Sequence, residues 1–87
     1  MIDKFTFKVY YNFIMKQPLK ELKNLPQTLY NLRTINNFTQ GEVALRLGIS
    51  YQSYQGYEHG KTVPTLENFI KIANLYGISL DYLINKK

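Results

Sequence analysis

The stretch TQGEVALRLGISYQSYQGYEHG, residues 39–60, decides the fold. In its second half, the side-chain oxygen of Ser50 suits a helix N-cap, and Ile49 stands at the offset from Tyr54 that a hydrophobic staple requires. A helix therefore spans residues 51–59, and Gly60 is free to adopt the left-handed conformation that closes it. Tyr54, Tyr57 and Glu58 fall three and four apart on one face, while Tyr51, Gln52, Gln55 and Gly56 fall on another. One face packs; the other is polar and shallow.

The first half begins with a capping box. Thr39 and Glu42 can satisfy each other's orphan amides, and Phe38 with Val43 supplies a second staple. The resulting helix, Gln40 to Leu47, turns Val43, Ala44 and Leu47 inward, and the small Ala44 lets another helix cross at close range. Gly48 breaks it where a tight turn needs a positive φ angle. Two short helices joined by a glycine-containing turn make a helix-turn-helix.

Upstream, Pro26 suits the first turn of a helix whose apolar positions Leu29, Leu32 and Ile35 repeat at three, and Asn36 and Asn37 suit its end. Lys16 to Leu25, with Pro18 and then Leu19, Leu22 and Leu25 at helical spacing, is a connector with room for one or two helical turns. It marks a boundary between residues 1–25 and residues 26–87. Before it, FTFKVYYNF (residues 5–13) alternates, with Phe5, Phe7, Val9, Tyr11 and Phe13 on one side. Phe5, Val9 and Phe13 would also align on a helix, but the aromatic and β-branched content favours a strand. A lone strand cannot satisfy its own hydrogen bonds, and no second strand-like run follows. Its partner comes from its own helices, from another protein or from a second copy of the chain.

Downstream, Lys61 to Pro64 is a loop. Thr65 caps a fourth helix whose partly buried positions are Leu66, Phe69, Ile70, Ala73 and Tyr76, and Gly77 ends it. Ser79 caps a last short helix, with Ile78 and Leu83 as a third staple and Leu80 and Ile84 also apolar.

Composition narrows the function. Eighty-seven residues make one small domain that buries about 60% of the unfolded chain's surface, too little for a roomy enzyme cleft. The absence of cysteine excludes disulfides and thiolate metal sites and suits a cytoplasmic address. No apolar run is long enough to span a membrane, and the N-terminus lacks the pattern of a signal peptide. The net charge of +5 and a pI near 9.5 suit a polyanionic partner. Residues 1–25 carry five Lys against Asp3 and Glu21, and residues 26–87 carry six basic against four acidic residues, so the excess is spread and forms no basic tail. No acid pair, activated nucleophile or phosphate-cradling glycine loop is visible, which argues against an enzyme, and nothing calls for a cofactor or a metal. His59, the only histidine, reads as an exposed residue favoured by the helix dipole, with a phosphate contact as its alternative.

Gln40 to Gly48 (QGEVALRLG), Ile49-Ser50, Tyr57-Glu58-His59-Gly60-Lys61, Pro64 and SLDYLI (residues 79–84) together resemble the Cro and phage-repressor (XRE-like) helix-turn-helix family over residues 26–87. The resemblance implies an all-α, five-helix repressor-like domain, here with an N-terminal β-strand extension. Its third helix would lie in the major groove, usually in dimers on pseudo-palindromic operators. Carried over position by position, Tyr51, Gln52 and Gly56 occupy base-reading positions, Ser53 and Gln55 flank them, Gln40 stands where such proteins touch a phosphate, and Lys61 lies in the loop that grips backbone. Gln55 is taken with the base readers and Ser53 with the backbone contacts. Tyr51 and Gly56 replace the longer polar residues often found there, so no target sequence transfers from a relative. Gly56, which costs about 1 kcal/mol in a helix interior, signals either close approach to DNA or mere tolerance. The resemblance also implies a partly buried ion pair between Arg33 and Glu58.

For Gln52 and Gln55 the plain alternative is solvated surface. Amide pairing with adenine favours Gln52 as a base reader, and Tyr51 is open to base contact, phosphate contact or simple exposure. Stacking of single-stranded bases on the tyrosines is a poor fit, because Tyr54, Tyr57 and Tyr76 stand at core spacing. The chain is thus expected to be a DNA-binding transcriptional regulator, a repressor that occupies a promoter, and a homodimer through residues 5–13. The rival is an antitoxin-like interaction protein whose strand augments the sheet of a partner.

Overall fold

Oxygen-bearing side chains start four of the helices. In the computed structural model, which describes residues 22–85, these helices are α2 (Gln40–Leu47), α3 (Tyr51–Glu58), α4 (Leu66–Tyr76) and α5 (Leu80–Asn85). Thr39 Oγ1 accepts from the amide of Glu42 at 3.1 Å while Glu42 Oε1 accepts from the amide of Thr39 at 2.7 Å, the reciprocal pair of a capping box. Ser50, Thr65 and Ser79 accept from the amides of Ser53, Asn68 and Tyr82 at 3.0, 3.2 and 3.1 Å. The first helix, α1 (Leu25–Ile35), starts with Pro26 in place of a side-chain cap, and that residue has no amide to satisfy. Asn37, at φ 59°, ends it in the left-handed region. Gly48, at φ 70°, makes the turn between α2 and α3, where any side chain would be strained.

No strand occurs among the described residues, and the strand expected over Phe5–Phe13 lies outside them, as does most of the connector. Leu22 and Leu25 are buried and close the core from the N-terminal side.

α3 packs on both α1 and α2, α2 packs on α4, and α5 returns to α1 and α4. Tyr54, Phe69, Leu29, Ile72, Leu83 and Val43 are the largest apolar side chains sealed in the centre. The inward faces of α2 and α3 are those expected, with Val43, Ala44 and Leu47 on one and Tyr54, Tyr57 and Glu58 on the other.

Two positions differ. Ile35 is 75% exposed, because a repeat of three on a helix of 3.6 residues per turn rotates about 60° per step, which carries it about 120° round from Leu29. On α4, Ile72 is fully buried beside Phe69 and Ala73, whereas Leu66, Ile70 and Tyr76 are half-buried. No helix of the described residues is long and apolar enough to cross a membrane.

Candidate nucleic-acid interface

α3 has only eight residues, too few to hold its shape alone. It is held from below by Arg33 on α1. Arg33 Nε donates to Glu58 Oε2 at 2.8 Å and Nη2 donates to Glu58 Oε1 at 2.7 Å, a two-pronged pair, while Nη1 donates to the Phe38 carbonyl at 3.0 Å. One guanidinium thus ties α1, α3 and the turn before α2 together. The two side chains are 14% and 4% exposed, so the pair is largely shielded from water.

The electrostatics agree with that geometry. Burial alone would raise the Glu58 carboxyl, but hydrogen bonding from Arg33, with the nearby Tyr54 hydroxyl and the Gln40 amide, outweighs it and holds the group below its ordinary value. Its hydrogen bond to Glu58 holds Arg33 above its own ordinary value against the effect of burial. Burial, reinforced by the same carboxylate, pushes the Tyr54 hydroxyl far above the usual tyrosine range and that of Tyr76 up to about 12. Both phenols stay neutral beside the ion pair.

From Glu58 the hydrogen bonds continue to the surface. Gln40 Nε2 donates to Glu58 Oε1 at 3.2 Å, the Tyr51 hydroxyl donates to Gln40 Oε1 at 3.2 Å, and Gln55 Nε2 donates to the Tyr51 hydroxyl at 3.0 Å. Three of the expected DNA-contacting residues are therefore brought into one chain of contacts anchored on the ion pair. Gln40 spans α2 and α3 and has both ends of its amide engaged within the protein.

Gln52, Ser53, His59 and Lys61 are exposed. Ser53 shares its hydroxyl with Ser50 at 2.8 Å. The amide of His59 donates to the Gln55 carbonyl at 2.9 Å and so helps close α3. Gly56 is half-buried, because the loop after α3 folds back over it and the amides of Lys61 and Thr62 donate to its carbonyl at 2.9 and 3.3 Å. The residue that sequence reasoning passed over is Thr62. The signal for it was Gly56 itself, since a glycine inside a helix often marks close approach of another segment. That segment is protein.

Comparison with known proteins gives a consistent picture. A family model described as Helix-turn-helix matches residues 29–83. The cryptic phage CTXphi transcriptional repressor RstR of Vibrio cholerae is 42% identical over 62 residues, covering 71% of this chain and 55% of RstR. The SPbeta prophage-derived regulator YonR of Bacillus subtilis is 38% identical over 58 residues, covering 67% of this chain and 54% of YonR. The HTH-type transcriptional regulator ImmR of Bacillus subtilis is 33% identical over 63 residues, covering 72% and 50%. The chain spans about half the length of these curated relatives. The matched region runs from Leu29 on α1 to Leu83 on α5 and contains Arg33 and the whole of α2, α3 and α4. On sequence and architecture together, the chain belongs to the helix-turn-helix family of Cro- and phage-repressor-like (XRE-family) proteins.

Proposed function

We propose that this chain binds double-stranded DNA sequence-specifically, with α3 in the major groove, and regulates transcription as a repressor by occupying a promoter. The observation that carries this reading is the chain of contacts Arg33–Glu58–Gln40–Tyr51–Gln55. It fixes a short exposed helix edge before any ligand arrives, and a preset edge loses less freedom on binding. The naming of RstR as a transcriptional repressor supports the repressor assignment.

In this reading Tyr51, Gln52, Gln55 and the surface at Gly56 face base edges, and Gln40, Ser53 and Lys61 face the backbone. The ion pair of Arg33 and Glu58 orients α3. Two copies of the chain bind a pseudo-palindromic operator as a homodimer. The reading edge carries amides and hydroxyls and no Arg or Lys, so each half-site should contain at least one A·T pair.

Selection of bound duplexes from a random library tests the proposal. An enriched inverted repeat with an A·T pair at each half-site core is the expected result. Recovery of no preferred sequence would remove the claim of specific binding.

A further inference from the structure

Gly56 occupies a place where a recognition helix would be expected to project a side chain. With α3 turning about 100° per residue, positions 52, 56 and 59 point away from the buried Tyr54, Tyr57 and Glu58. A β-carbon at position 56 would lie 2.7 Å from the hydroxyl oxygen of Thr62 and 3.8 Å from both Cβ and Cγ2 of that residue. No side chain fits there unless Thr62 moves. The close approach is built into the loop: Gly60, at φ 75°, reverses the chain, and a β-carbon on Gly60 would meet Pro26 Cγ at 3.3 Å, so α1 backs the turn. The amides of Lys61 and Thr62 then pin the loop to the Gly56 carbonyl. The Thr62 hydroxyl consequently stands over the middle of the outward face of α3, where the first atoms of a residue-56 side chain would be, and Thr62 itself is exposed.

We propose that Thr62 is a specificity-determining residue, and that its hydroxyl reads a base edge in place of the side chain that Gly56 lacks. The inference rests on the reading of α3 as the groove-entering helix. A hydroxyl offers one donor and two acceptor positions, and the threonine methyl can meet the thymine methyl, so one residue can engage a base pair in two ways. Its place at the centre of the outward face, between the positions of Gln52 and His59, favours bases over phosphates, which flank the groove. Gly56 then acts by leaving room.

The test uses the full chain and the duplex that the wild type selects from random DNA, with a scrambled duplex as control. Thr62→Val keeps the branched shape and removes the hydroxyl. It should weaken binding to the selected duplex about fivefold per half-site, the worth of one hydrogen bond in each copy, and leave the scrambled duplex and the melting temperature nearly unchanged. Thr62→Ser, which keeps the hydroxyl and loses only the methyl contact, should bind the selected duplex more tightly than Thr62→Val. Gly56→Ala should displace the hydroxyl and lose as much as Thr62→Val, and the double variant should be no weaker than the weaker single one. Repeating the selection with Thr62→Val should relax the preference at one base pair per half-site. The proposal is overturned if Thr62→Val binds the selected duplex like the wild type, or if it weakens both duplexes alike. Should Gly56→Ala fail to fold, Thr62→Val still decides. If the wild type enriches no sequence at all, the reading of α3 fails and this proposal with it, an outcome distinct from a clear consensus indifferent to Thr62.

Discussion

Glu58 places a carboxylate on a helix face that otherwise buries tyrosines, and its charge is met by Arg33 from one helix and Gln40 from another. Its pKa lies below the ordinary 4.5, so its contribution to stability is present in full above that value and is lost as the pH falls through the lower, folded-state pKa. At neutral pH Glu58→Gln strands the Arg33 guanidinium and should cost about 3 kcal/mol, the lower end for a broken buried pair because water still touches Arg33. Denaturant titrations from pH 7 to about pH 3 should show the gap between wild type and variant closing on acidification. A gap that stays constant would mean that some other group carries the acid sensitivity. Gln52 and Lys61 are both exposed and are expected to divide the work on DNA. Gln52→Ala should lose about 1–3 kcal/mol on the selected duplex and little on random DNA, whereas Lys61→Ala should weaken both and reduce the salt dependence by about one unit per subunit. Equal losses on the two duplexes for Gln52→Ala would recast the protein as a reader of backbone or shape.

At the scale of the element, α3 depends on its ends more than a long helix does, because its eight residues leave most of its backbone groups close to a terminus. The Ser50 hydroxyl is the cap at 3.0 Å, so Ser50→Ala should cost about 1 kcal/mol in urea titration and Ser50→Gly only a few tenths. If Ser50→Ala unfolds at the same urea concentration as the wild type, the hydroxyl is not what secures the first turn. The caps at Thr39, Ser50, Thr65 and Ser79 were legible in the sequence because a cap is a contact between residues three apart, and so were the left-handed turns at Gly48, Gly60 and Gly77. What depends on how helices cross was less legible. Ile35 faces water because its stripe drifts round α1, and Ile72 is sealed because α4 rotates it toward the centre. The candidate site divides the same way. The polar face of α3 could be read from spacing, but the span of Gln40 to Tyr51 and Glu58 joins residues 11 and 18 apart, and the seat of Thr62 over Gly56 depends on how a loop closes. The pairing of Arg33 with Glu58, 25 residues apart, was foreseen only through the family resemblance.

The whole molecule sets a limit on how DNA is read. The described residues carry one α3, whereas a two-fold operator presents its half-sites about 34 Å apart along the duplex. One copy therefore covers one half-site, and an inverted repeat needs a second copy whose spacing is set by whatever joins the two. Residues 5–13 are the proposed join, because their alternating pattern supplies five large apolar residues on one side and two identical strands can pair about a two-fold axis. Removing residues 1–15 should then leave a folded monomer, since Leu22 and Leu25, which close the core, are retained. That monomer should bind a single half-site weakly and lose the preference for inverted repeats, because the gain from holding two half-sites at once disappears with the link. Mass in solution by light scattering, with and without the selected duplex, decides the matter. A truncated chain that stays dimeric shows that the helices hold the copies together. A full chain that is monomeric alone yet binds the inverted repeat as a pair shows that DNA, and not the N-terminal segment, brings the two copies into register.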